Sequence, residues 1–316
     1  MKEKVILGVD TSNYTTSLAL VSLNGELVCN LKLPLTVKAG ERGLRQSDAL
    51  FLHTQNMPSL MDELSSYLET RSIVAVGVSE RPRNQEGSYM PCFLAGLAAA
   101  KSVSTALCVP LYTFSHQCGH IMAAVYSAGK EDLLSQPFAA FHISGGTTEL
   151  VRVNALGLGF SAEIVGGTAD LNAGQVIDRI GVHMGLKFPA GPMMERMALE
   201  NTAKIPRKRI SSNGTTVNLS GLENMAVKLY DETGDAALTA AFVFDYLSRA
   251  VSAMIDAYTE QYGKGPIICA GGVMCNSIIK SNLKSRYDVY FAEPSMSADN
   301  AVGIAVLARR AFESEQ

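Results

Sequence analysis

Two histidines four residues apart are the first feature of this sequence that could carry chemistry. They lie in His116-Gln117-Cys118-Gly119-His120, and on a helix this spacing puts both imidazoles on one face, about 6 Å apart at Cβ. Imidazole binds zinc and iron, so the pair fits two ligands of one divalent metal. No third ligand lies nearby, and position 117 lacks the Glu of a metalloprotease His-Glu-x-x-His helix. The alternative is a pair of capping or exposed histidines.

Three polar or glycine-rich segments are candidates for phosphate or nucleotide binding. They are Asp10-Thr11-Ser12-Asn13-Tyr14-Thr15-Thr16, Ser144-Gly145-Gly146-Thr147-Thr148 and Ala270-Gly271-Gly272-Val273-Met274-Cys275-Asn276. Glycines let backbone N–H groups approach a phosphate, and glycines after a strand let a ribose or base lie against the backbone. The alternatives are ordinary hairpin turns and, for the third segment, a glycine turn with Asn276 as the cap of the next helix.

Three charged groups have open interpretations. Asp299 precedes the last predicted helix and either caps it or supplies a carboxylate to a metal or phosphate site. Asp178 and Arg179 form either a solvated ion pair or part of a site. Arg207-Lys208-Arg209 is the densest basic run. It is either a solvated loop or a contact with an RNA backbone.

Composition excludes several classes of protein. The chain has 316 residues, of which 47% are hydrophobic and 18% charged, with a formal net charge of −3. It is therefore neither disordered nor a general nucleic-acid coat, although a local basic patch is compatible with it. No run of about 20 uninterrupted apolar residues predicts a membrane-spanning helix. Six cysteines without a Cys-x-x-Cys pair indicate buried thiols in a reducing cytoplasm.

The elements that must position these groups follow from hydrophobic patterning. It predicts strands at 4–9, 15–22, 26–33, 73–79, 109–113, 138–143, 148–154, 266–270 and 289–291, and helices at 47–68, 93–107, 173–184, 237–262, 276–285 and 300–312. Asn24-Gly25 predicts a hairpin turn. Two halves with the same element order indicate a duplicated α/β architecture. The polar stretch 204–235 is predicted to be an insertion or a mobile loop.

Together and in this order, the motifs resemble one family over Gly8 to about Ala311: the universal tRNA threonylcarbamoyladenosine synthases (TsaD-like), formerly named O-sialoglycoprotein endopeptidase or glycoprotease. Besides the His116–His120 pair, the segments that match the family are rich in glycine, polar or turn-forming residues. They are 144–150, 173–179, 188–192, Leu219-Ser220-Gly221-Leu222, 270–276 and Asp299-Asn300.

The resemblance implies an actin-like ATPase fold of α/β class, with two ribonuclease-H-like lobes and a nucleotide and metal cleft between them. It places the first lobe at 1–113, joined by a closing helix at about 300–316, and the second at 114–299. It implies one metal, iron or zinc, held by His116, His120 and Asp299. The residues implied for an adenine nucleotide are His142, Ile143, Ser144, Gly145, Gly146, Asp178, Gly191, Gly271, Gly272 and Asn276. Asp10 and Ser144 are the candidate catalytic residues.

The activity implied is transfer of a threonylcarbamoyl group from threonylcarbamoyl-AMP to adenosine 37 of tRNA. The implied partners are tRNA, a non-catalytic paralogue and an ATPase, in a homo- or heterodimer and without a membrane. One alternative is a non-catalytic or differently specific paralogue that binds nucleotide and metal as a scaffold or regulator. The other, a metallopeptidase, ranks lower because no general-base Glu accompanies the His pair.

Four departures from the family pattern bear on the acceptor. Asp10–Thr16 replaces an opening with two more acids and a Cys, and Thr147 stands where the family has His. Arg81–Ser88 replaces a Gly-Pro-Gly loop, and the family's helix start is not recognisable around Arg45–Leu52. The changes concentrate near the donor and tRNA contacts, whereas the metal ligands and nucleotide turns persist. A divergent synthase and a paralogue with another acceptor are both compatible with this pattern.

Overall fold

The computed structural model describes residues 2–12, 14–36, 44–156, 159–296 and 300–316, whose strands form two sheets. The chain divides into two units. Unit 1 comprises Met1–Asp132, Asn154–Ala162 and Ser295–Gln316, and unit 2 comprises Leu133–Val153 and Glu163–Pro294. Each unit combines one sheet with helices, which agrees with the predicted α/β fold class.

Unit 1 is built on a five-stranded sheet of order β3-β2-β1-β4-β5. Its strands are β1 (Glu3–Ser12), β2 (Thr15–Ser22), β3 (Leu27–Pro34), β4 (Arg71–Arg81) and β5 (Leu111–Ser115). The first three strands are antiparallel, and β4 and β5 run parallel to β1. The predicted hairpin turn is confirmed, since Gly25 has a φ of +86°, a conformation that glycine adopts without strain. Helices α1 (Gln46–Tyr67) and α2 (Phe93–Leu107) cover one face.

Helix α9 (Val302–Ser314) packs directly on the backbone of the unit 1 sheet. The contact requires glycine in two strands. A Cβ on Gly8 of β1 would lie 2.5 Å from the carbonyl oxygen of Ala301, and one on Gly77 of β4 would lie 2.7 Å from Cβ of Ala308. Real Cβ contacts are longer, so α9 can approach β1 and β4 only because these two positions have no side chain.

Helix α3 (His116–Ser127), which carries the His pair, crosses α9 at a second glycine contact. A Cβ on Gly303 of α9 would overlap the carbonyl oxygen of Gly119, and a Cβ on Gly119 would lie 2.9 Å from Cδ1 of Ile304. This packing places α3 in unit 1. The boundary expected at residue 113 differs from this division, because α3 packs on the closing helix.

Unit 2 is built on a seven-stranded sheet of order β12-β11-β6-β7-β8-β10-β9. Its strands are β6 (Phe138–Ile143), β7 (Thr148–Leu156), β8 (Gly159–Thr168), β9 (Ser212–Asn213), β10 (Thr216–Val217), β11 (Ile267–Ala270) and β12 (Val289–Phe291). Its helices are α4 (Ala173–His183), α5 (Gly191–Glu200), α6 (Ser220–Thr233), α7 (Ala236–Tyr262) and α8 (Ser277–Lys284). The central core helix is α7, whose aromatic side chains Phe242, Phe244 and Tyr246 are each 1% exposed.

The two sheets repeat one topology. The order β8-β7-β6-β11-β12 in unit 2 is the order β3-β2-β1-β4-β5 in unit 1, with β10 and β9 added at the β8 edge. In both, the first two strands pair antiparallel and the fourth and fifth run parallel to the first. The duplicated architecture predicted from element order is therefore confirmed, although the two halves share no evident sequence repeat.

The stretch 204–235 was expected to be irregular, and this expectation is wrong over its second half. Helix α6 occupies Ser220–Thr233, because Leu222 and Ala226 lie four residues apart on one face and are fully buried. Asp170 holds the start of the helix by accepting hydrogen bonds from the backbone N–H of Leu219 and the hydroxyl of Ser220. Burial raises the pKa of Asp170, but these hydrogen bonds outweigh it and lower the pKa to about 2.

Helix α7 has the length and apolar composition of a membrane-spanning helix, and it alone does so among the residues that the structure describes. It lies inside the protein, with 78% of its most apolar stretch buried. Length and apolar composition are also properties of a core helix, and the contacts of α7 with α5, α6 and α8 are those of such a helix.

The α3–α9 crossing generates a prediction. We expect Gly303→Ala to destabilise the protein by about 1–3 kcal/mol, because a methyl group there must push α9 away from Gly119. Denaturation with urea, followed by circular dichroism, measures the change. Gly221→Ala is the matched control: a Cβ at that position of α6 meets nothing within 4 Å, so it should be neutral or slightly stabilising. Equal stability of the two variants would contradict the close approach of α3 and α9.

Candidate functional site

The first cluster of predicted site residues lies at one edge of the unit 1 sheet. Asp10 is on β1, Ser79 is on the neighbouring strand β4, and His116 follows β5 directly. Because these three strands are parallel, their carboxyl ends meet at one edge. The Ser79 hydroxyl donates to Oδ1 of Asp10 at 2.5 Å, and Nδ1 of His116 lies 2.9 Å from the same oxygen.

The structure places the Asp10 side chain, 0% exposed, against an imidazole. A carboxylate oxygen accepts, so Nδ1 of His116 is the donor in this contact, and in the neutral imidazole Nε2 then carries the lone pair. Histidines that bind metals are commonly oriented in this way by a carboxylate on the other ring nitrogen. The sequence predicts a catalytic role for Asp10; its contacts are those of a residue that orients His116.

The His116–His120 pair fits two ligands of a metal. The two rings lie on one face of α3, with centroids 4.3 Å apart and planes at 73°. Within the described ranges, no group of three His, Cys, Asp or Glu side chains is close enough together to hold a metal ion. The third predicted ligand, Asp299, lies outside the described residues. The donor chemistry of the described pair fits a divalent metal as two of three ligands.

Two threonines of the Asp10–Thr16 segment are tied to helices. Thr11 Oγ1 donates to the carbonyl of Cys92 at 3.1 Å and accepts from the N–H of Gly96 at 3.0 Å. Thr16 Oγ1 lies 2.8 Å from Nδ1 of the buried His53 of α1. These hydroxyls therefore join the β1–β2 hairpin to α1 and α2. Burial, and then the charge of Asp10, raise the pKa of the Cys92 thiol to about 11, so it stays protonated beside the carboxylate at neutral pH.

The second cluster lies at the carboxyl ends of β6 and β11 in unit 2. The turn after β6 closes with a hydrogen bond from Ser144 N–H to Thr147 C=O at 2.8 Å, and the carbonyl of Ser144 accepts from Gly174 N–H at 3.2 Å. Gly271, with a φ of +98°, packs on the backbone of Ile143, where a Cβ would overlap the carbonyl oxygen. Two glycine-containing segments that were predicted separately, 144–148 and 270–276, thus meet at one edge of the sheet beside the start of α4.

The start of α4 is held against this turn. Asn172 Nδ2 donates to the carbonyl of Gly146 at 3.0 Å, and Ala173 N–H donates to Thr148 Oγ1 at 2.9 Å. A Cβ on Gly174 would lie 2.6 Å from Cα of Gly145. On their other side, Gly145 and Gly146 are exposed, and a Cβ at either would meet nothing within 4 Å. An open glycine backbone beside a helix N-terminus is suited to a phosphate.

A cavity of about 530 Å³ adjoins the glycine turn. Its lining residues come from the turn, from α4 and from the segment before α5: Gly145, Gln175, Asp178, Arg179, Val182 and Phe188. Phe188 is 75% exposed, and Asp178 Oδ1 accepts the N–H of Ala190 at 2.8 Å, which holds the Phe188 segment beside α4. The volume lies within the range of small-molecule sites. The aromatic ring of Phe188 and the carboxylate of Asp178 both line the cavity.

The remaining predicted nucleotide residues occupy different settings. His142 and Ile143 end β6, Gly191 begins α5, and Gly272 is exposed with open space beside it. Asn276 is 5% exposed, and its side chain accepts from the N–H groups of Ile278 and Ile279. The helix-cap alternative considered for Asn276 is therefore what the structure shows.

Several residues of these clusters were not predicted as site residues. Ser79 shares a carboxylate oxygen with His116, and Gln175, Val182 and Phe188 line the cavity. Phe188 could have been recognised in the sequence, because it is a large apolar residue directly before Pro189-Ala190-Gly191. Ser79 carried no such signal, because only the pairing of β1 with β4 brings it to Asp10.

The sequence is similar to one family along most of its length. The family model described as TsaD, tRNA N6-adenosine threonylcarbamoyltransferase, matches residues 38–306. Proteins named tRNA N6-adenosine threonylcarbamoyltransferase are similar over nearly the whole chain. The one from Streptococcus suis is 30% identical, covering 100% of this chain and 94% of its own length. Those from Carboxydothermus hydrogenoformans and Thermotoga neapolitana are 30% and 26% identical, covering 96% and 95% of this chain and 90% and 92% of theirs.

Solved structures show the same fold at low sequence identity. Full-length HypF in a phosphate- and nucleotide-bound form has a TM-score of 0.60 at 12% identity, covering 99% of this chain and 56% of its own. Component A of (R)-2-hydroxyglutaryl-CoA dehydratase from Acidaminococcus fermentans has a TM-score of 0.55 at 13% identity, covering 98% and 99%. A ROK family glucokinase from Streptomyces griseus, in complex with glucose and AMPPNP, scores 0.53 at 13% identity, covering 97% and 99%. The fold is therefore that of the actin-like ATPases, as predicted.

Proposed function

The chain belongs to the TsaD family of tRNA N6-adenosine threonylcarbamoyltransferases and is a transferase of that class, and on this premise we propose its substrates. The donor is threonylcarbamoyl-AMP, and the acceptor is the N6 amine of adenosine 37 in tRNA. The observation that carries the proposal is the cavity of unit 2 beside the glycine turn, which is lined by Gly145, the carboxylate of Asp178 and the aromatic ring of Phe188.

The cavity is assigned to the adenylate part of the donor. Backbone N–H groups at Gly145 and Gly146 bind the phosphate, and the ring of Phe188 stacks on the adenine. Asp178 keeps the Phe188 segment in place through Ala190. The nucleotide-bound states of HypF and of the ROK glucokinase support a nucleotide in this fold.

The transfer needs little covalent help from the protein. The donor is a mixed anhydride, so the adenosine amine attacks its carbonyl carbon, a C–N bond forms, the C–O bond to phosphate breaks and AMP leaves. The amine loses one proton, which goes to water or leaves with the AMP phosphate. The tasks left to the protein are to orient donor and amine and to stabilise the developing charge with backbone N–H groups. Ser144 lies in the turn that supplies these groups, which supports its place in the site.

We further propose that the protein holds one divalent metal, iron or zinc. His116 and His120 would hold it, with Asp299 as the third ligand, and Asp10 would position His116 through Nδ1. When bound, such a metal polarises a carbonyl or binds phosphate oxygens. A metallopeptidase is not proposed, because position 117 is Gln and the pair therefore lacks the Glu of a His-Glu-x-x-His helix.

Protein partners and a cytoplasmic location complete the proposal. The partners are a non-catalytic paralogue and an ATPase. Large apolar side chains that support a protein contact are exposed in unit 1 on α1, on α2 and just before α2: Phe51 at 62%, Leu94 at 43% and Tyr89 at 62%. The four cysteines that are buried, and the absence of a disulfide among the described residues, support a reducing compartment.

The proposal is tested with unmodified tRNA, threonylcarbamoyl-AMP, the purified protein and its partner proteins. We expect threonylcarbamoyladenosine at position 37, detected by mass spectrometry of the digested tRNA. A tRNA with guanosine at position 37 is the control and should stay unmodified. Nucleotide binding without any modified nucleoside would overturn the proposed transfer and favour the scaffold alternative.

A second prediction concerns the adenine contact. Phe188→Ala should weaken binding of ADP by about tenfold, since stacking on an aromatic ring contributes about 1–3 kcal/mol. Isothermal titration calorimetry gives the affinity. Met193→Ala is the matched control, because Met193 is 44% exposed on α5 and is not among the residues that line the cavity. If both variants bind ADP with the affinity of the wild-type protein, the adenine does not stack on Phe188.

A third prediction concerns the metal. His116→Ala and His120→Ala should each lower the bound iron or zinc to well below one equivalent, measured by mass spectrometry of the purified protein. His183→Ala is the control, because His183 is exposed and paired with Asp231 at 2.7 Å. Asp10→Asn should retain metal but hold it less tightly, by about 10–100-fold, as for other residues that orient a ligand. Unchanged metal content in both His variants would remove the ligand assignment.

A further inference from the structure

We propose that residues 204–210, called here the basic loop, bind the phosphate backbone of RNA. The inference rests on the proposed function, because it assigns a contact surface to the tRNA acceptor. The loop has the sequence Lys204-Ile205-Pro206-Arg207-Lys208-Arg209-Ile210 and connects α5 to β9 in unit 2. It belongs to neither of the two clusters described above.

The charge of the loop is unbalanced. Lys204, Arg207, Lys208 and Arg209 are four cations within six residues, and the segment contains no acid. All four side chains are exposed, and none forms a salt bridge within the part of the chain that the structure describes. Three other arginines of unit 2 are paired: Arg179 with Glu223, Arg249 with Asp245 and Arg286 with Asp256. The loop therefore presents charge that no salt bridge among the described residues neutralises.

The backbone of the loop is fixed although it has no regular secondary structure. Ile205 and Ile210, at either end of the basic run, pack against the hydrophobic core of unit 2. Between them, the carbonyl of Lys208 accepts from Nη1 of Arg249 at 2.8 Å, and the carbonyl of Arg209 accepts from the hydroxyl of the buried Tyr246 at 3.4 Å. All these anchors use the isoleucine side chains or backbone carbonyls, so the cationic side chains remain available.

This arrangement favours an extended polyanion as the partner. A fixed backbone means that less conformational entropy is lost when the cations bind. One guanidinium group can donate two hydrogen bonds to one phosphate, and a run of cations can bind several phosphates of one strand. The loop lines neither the cavity beside Phe188 nor a second cavity of about 480 Å³ at β7, β8 and β10. A small anion held in a closed pocket is therefore not the ligand that this surface fits.

The test replaces Arg207, Lys208 and Arg209 by Gln together and measures binding of unmodified tRNA by fluorescence anisotropy between 50 and 200 mM KCl. We expect affinity at least tenfold weaker at the lowest salt, and a slope of log K against log[salt] that is smaller by about 2, since three phosphate contacts are lost. ADP binding should not change, which shows that unit 2 is folded.

The matched control changes three exposed cations elsewhere in unit 2, Lys228→Gln, Lys264→Gln and Arg286→Gln, and alters the net charge by the same amount. It should keep the slope and affinity of the unmodified protein. Equal losses in both variants would show a non-specific charge effect and overturn the proposal. An unchanged slope in the basic-loop variant would also overturn the proposal. The proposal would likewise be wrong if the basic-loop variant lost binding to phosphatidylserine vesicles but kept its binding to tRNA.

Modification of adenosine 37 by the wild-type protein and by the basic-loop variant, measured beside tRNA binding, separates this inference from the proposed function. If the unmodified protein converts adenosine 37 and the basic-loop variant binds and converts tRNA equally well, the transferase proposal stands and the loop assignment is wrong. If the unmodified protein neither binds tRNA nor forms the modified nucleoside, the proposed function fails and this inference fails with it. If the basic-loop variant has an increased KM for tRNA and an unchanged KM for the donor, the result supports both the transferase proposal and the loop assignment.

Discussion

Close backbone approach at glycines is the constraint on which both clusters depend. In unit 1, Gly8 lets α9 lie on β1, and Gly119 and Gly303 let α3 cross α9, so that the helix with the His pair is held on the closing helix. In unit 2, Gly174 brings the start of α4 onto the turn after β6, and Gly271 brings the segment after β11 onto the end of β6. A side chain at any of these positions would separate elements whose contact forms the cluster.

Hydrogen-bonded polar groups give each cluster its chemical character. In unit 1, the carboxylate of Asp10 receives hydrogen bonds from a serine and a histidine on neighbouring elements, and the threonine hydroxyls of the same segment are used to join the hairpin to α1 and α2. In unit 2, hydrogen bonds close the glycine turn and leave the outer face of Gly145 and Gly146 open. Buried polar groups without such partners would destabilise the fold, so satisfied groups also fix the geometry.

The elements that the sequence predicted are those with a strong hydrophobic period or a specific turn signal. The β1–β2–β3 meander, α2, the β6–β7 hairpin and α7 lie within a few residues of their predicted positions. Strand β8, helix α5 and helix α6 were not predicted. In α6, the buried positions Leu222 and Ala226 stand among polar residues, and a hydrogen bond from Leu219 to the distant Asp170 holds the helix start. Contacts of that kind are not visible in local patterning.

The sequence by itself determined which residues could do chemistry: the His116–His120 pair, the glycine turns and an unbalanced basic run. The order of the His pair and the glycine turns, with the other matching segments, identifies the family. Only the tertiary structure decided their partners, because strand pairing and helix crossing bring together residues that are far apart in the chain. Asp10 and His116 are 106 positions apart, and Asp178 holds a segment that carries Phe188. Spacing predicts neighbours along one helix or strand, whereas contacts between elements depend on how the strands are ordered and on which positions lack a side chain.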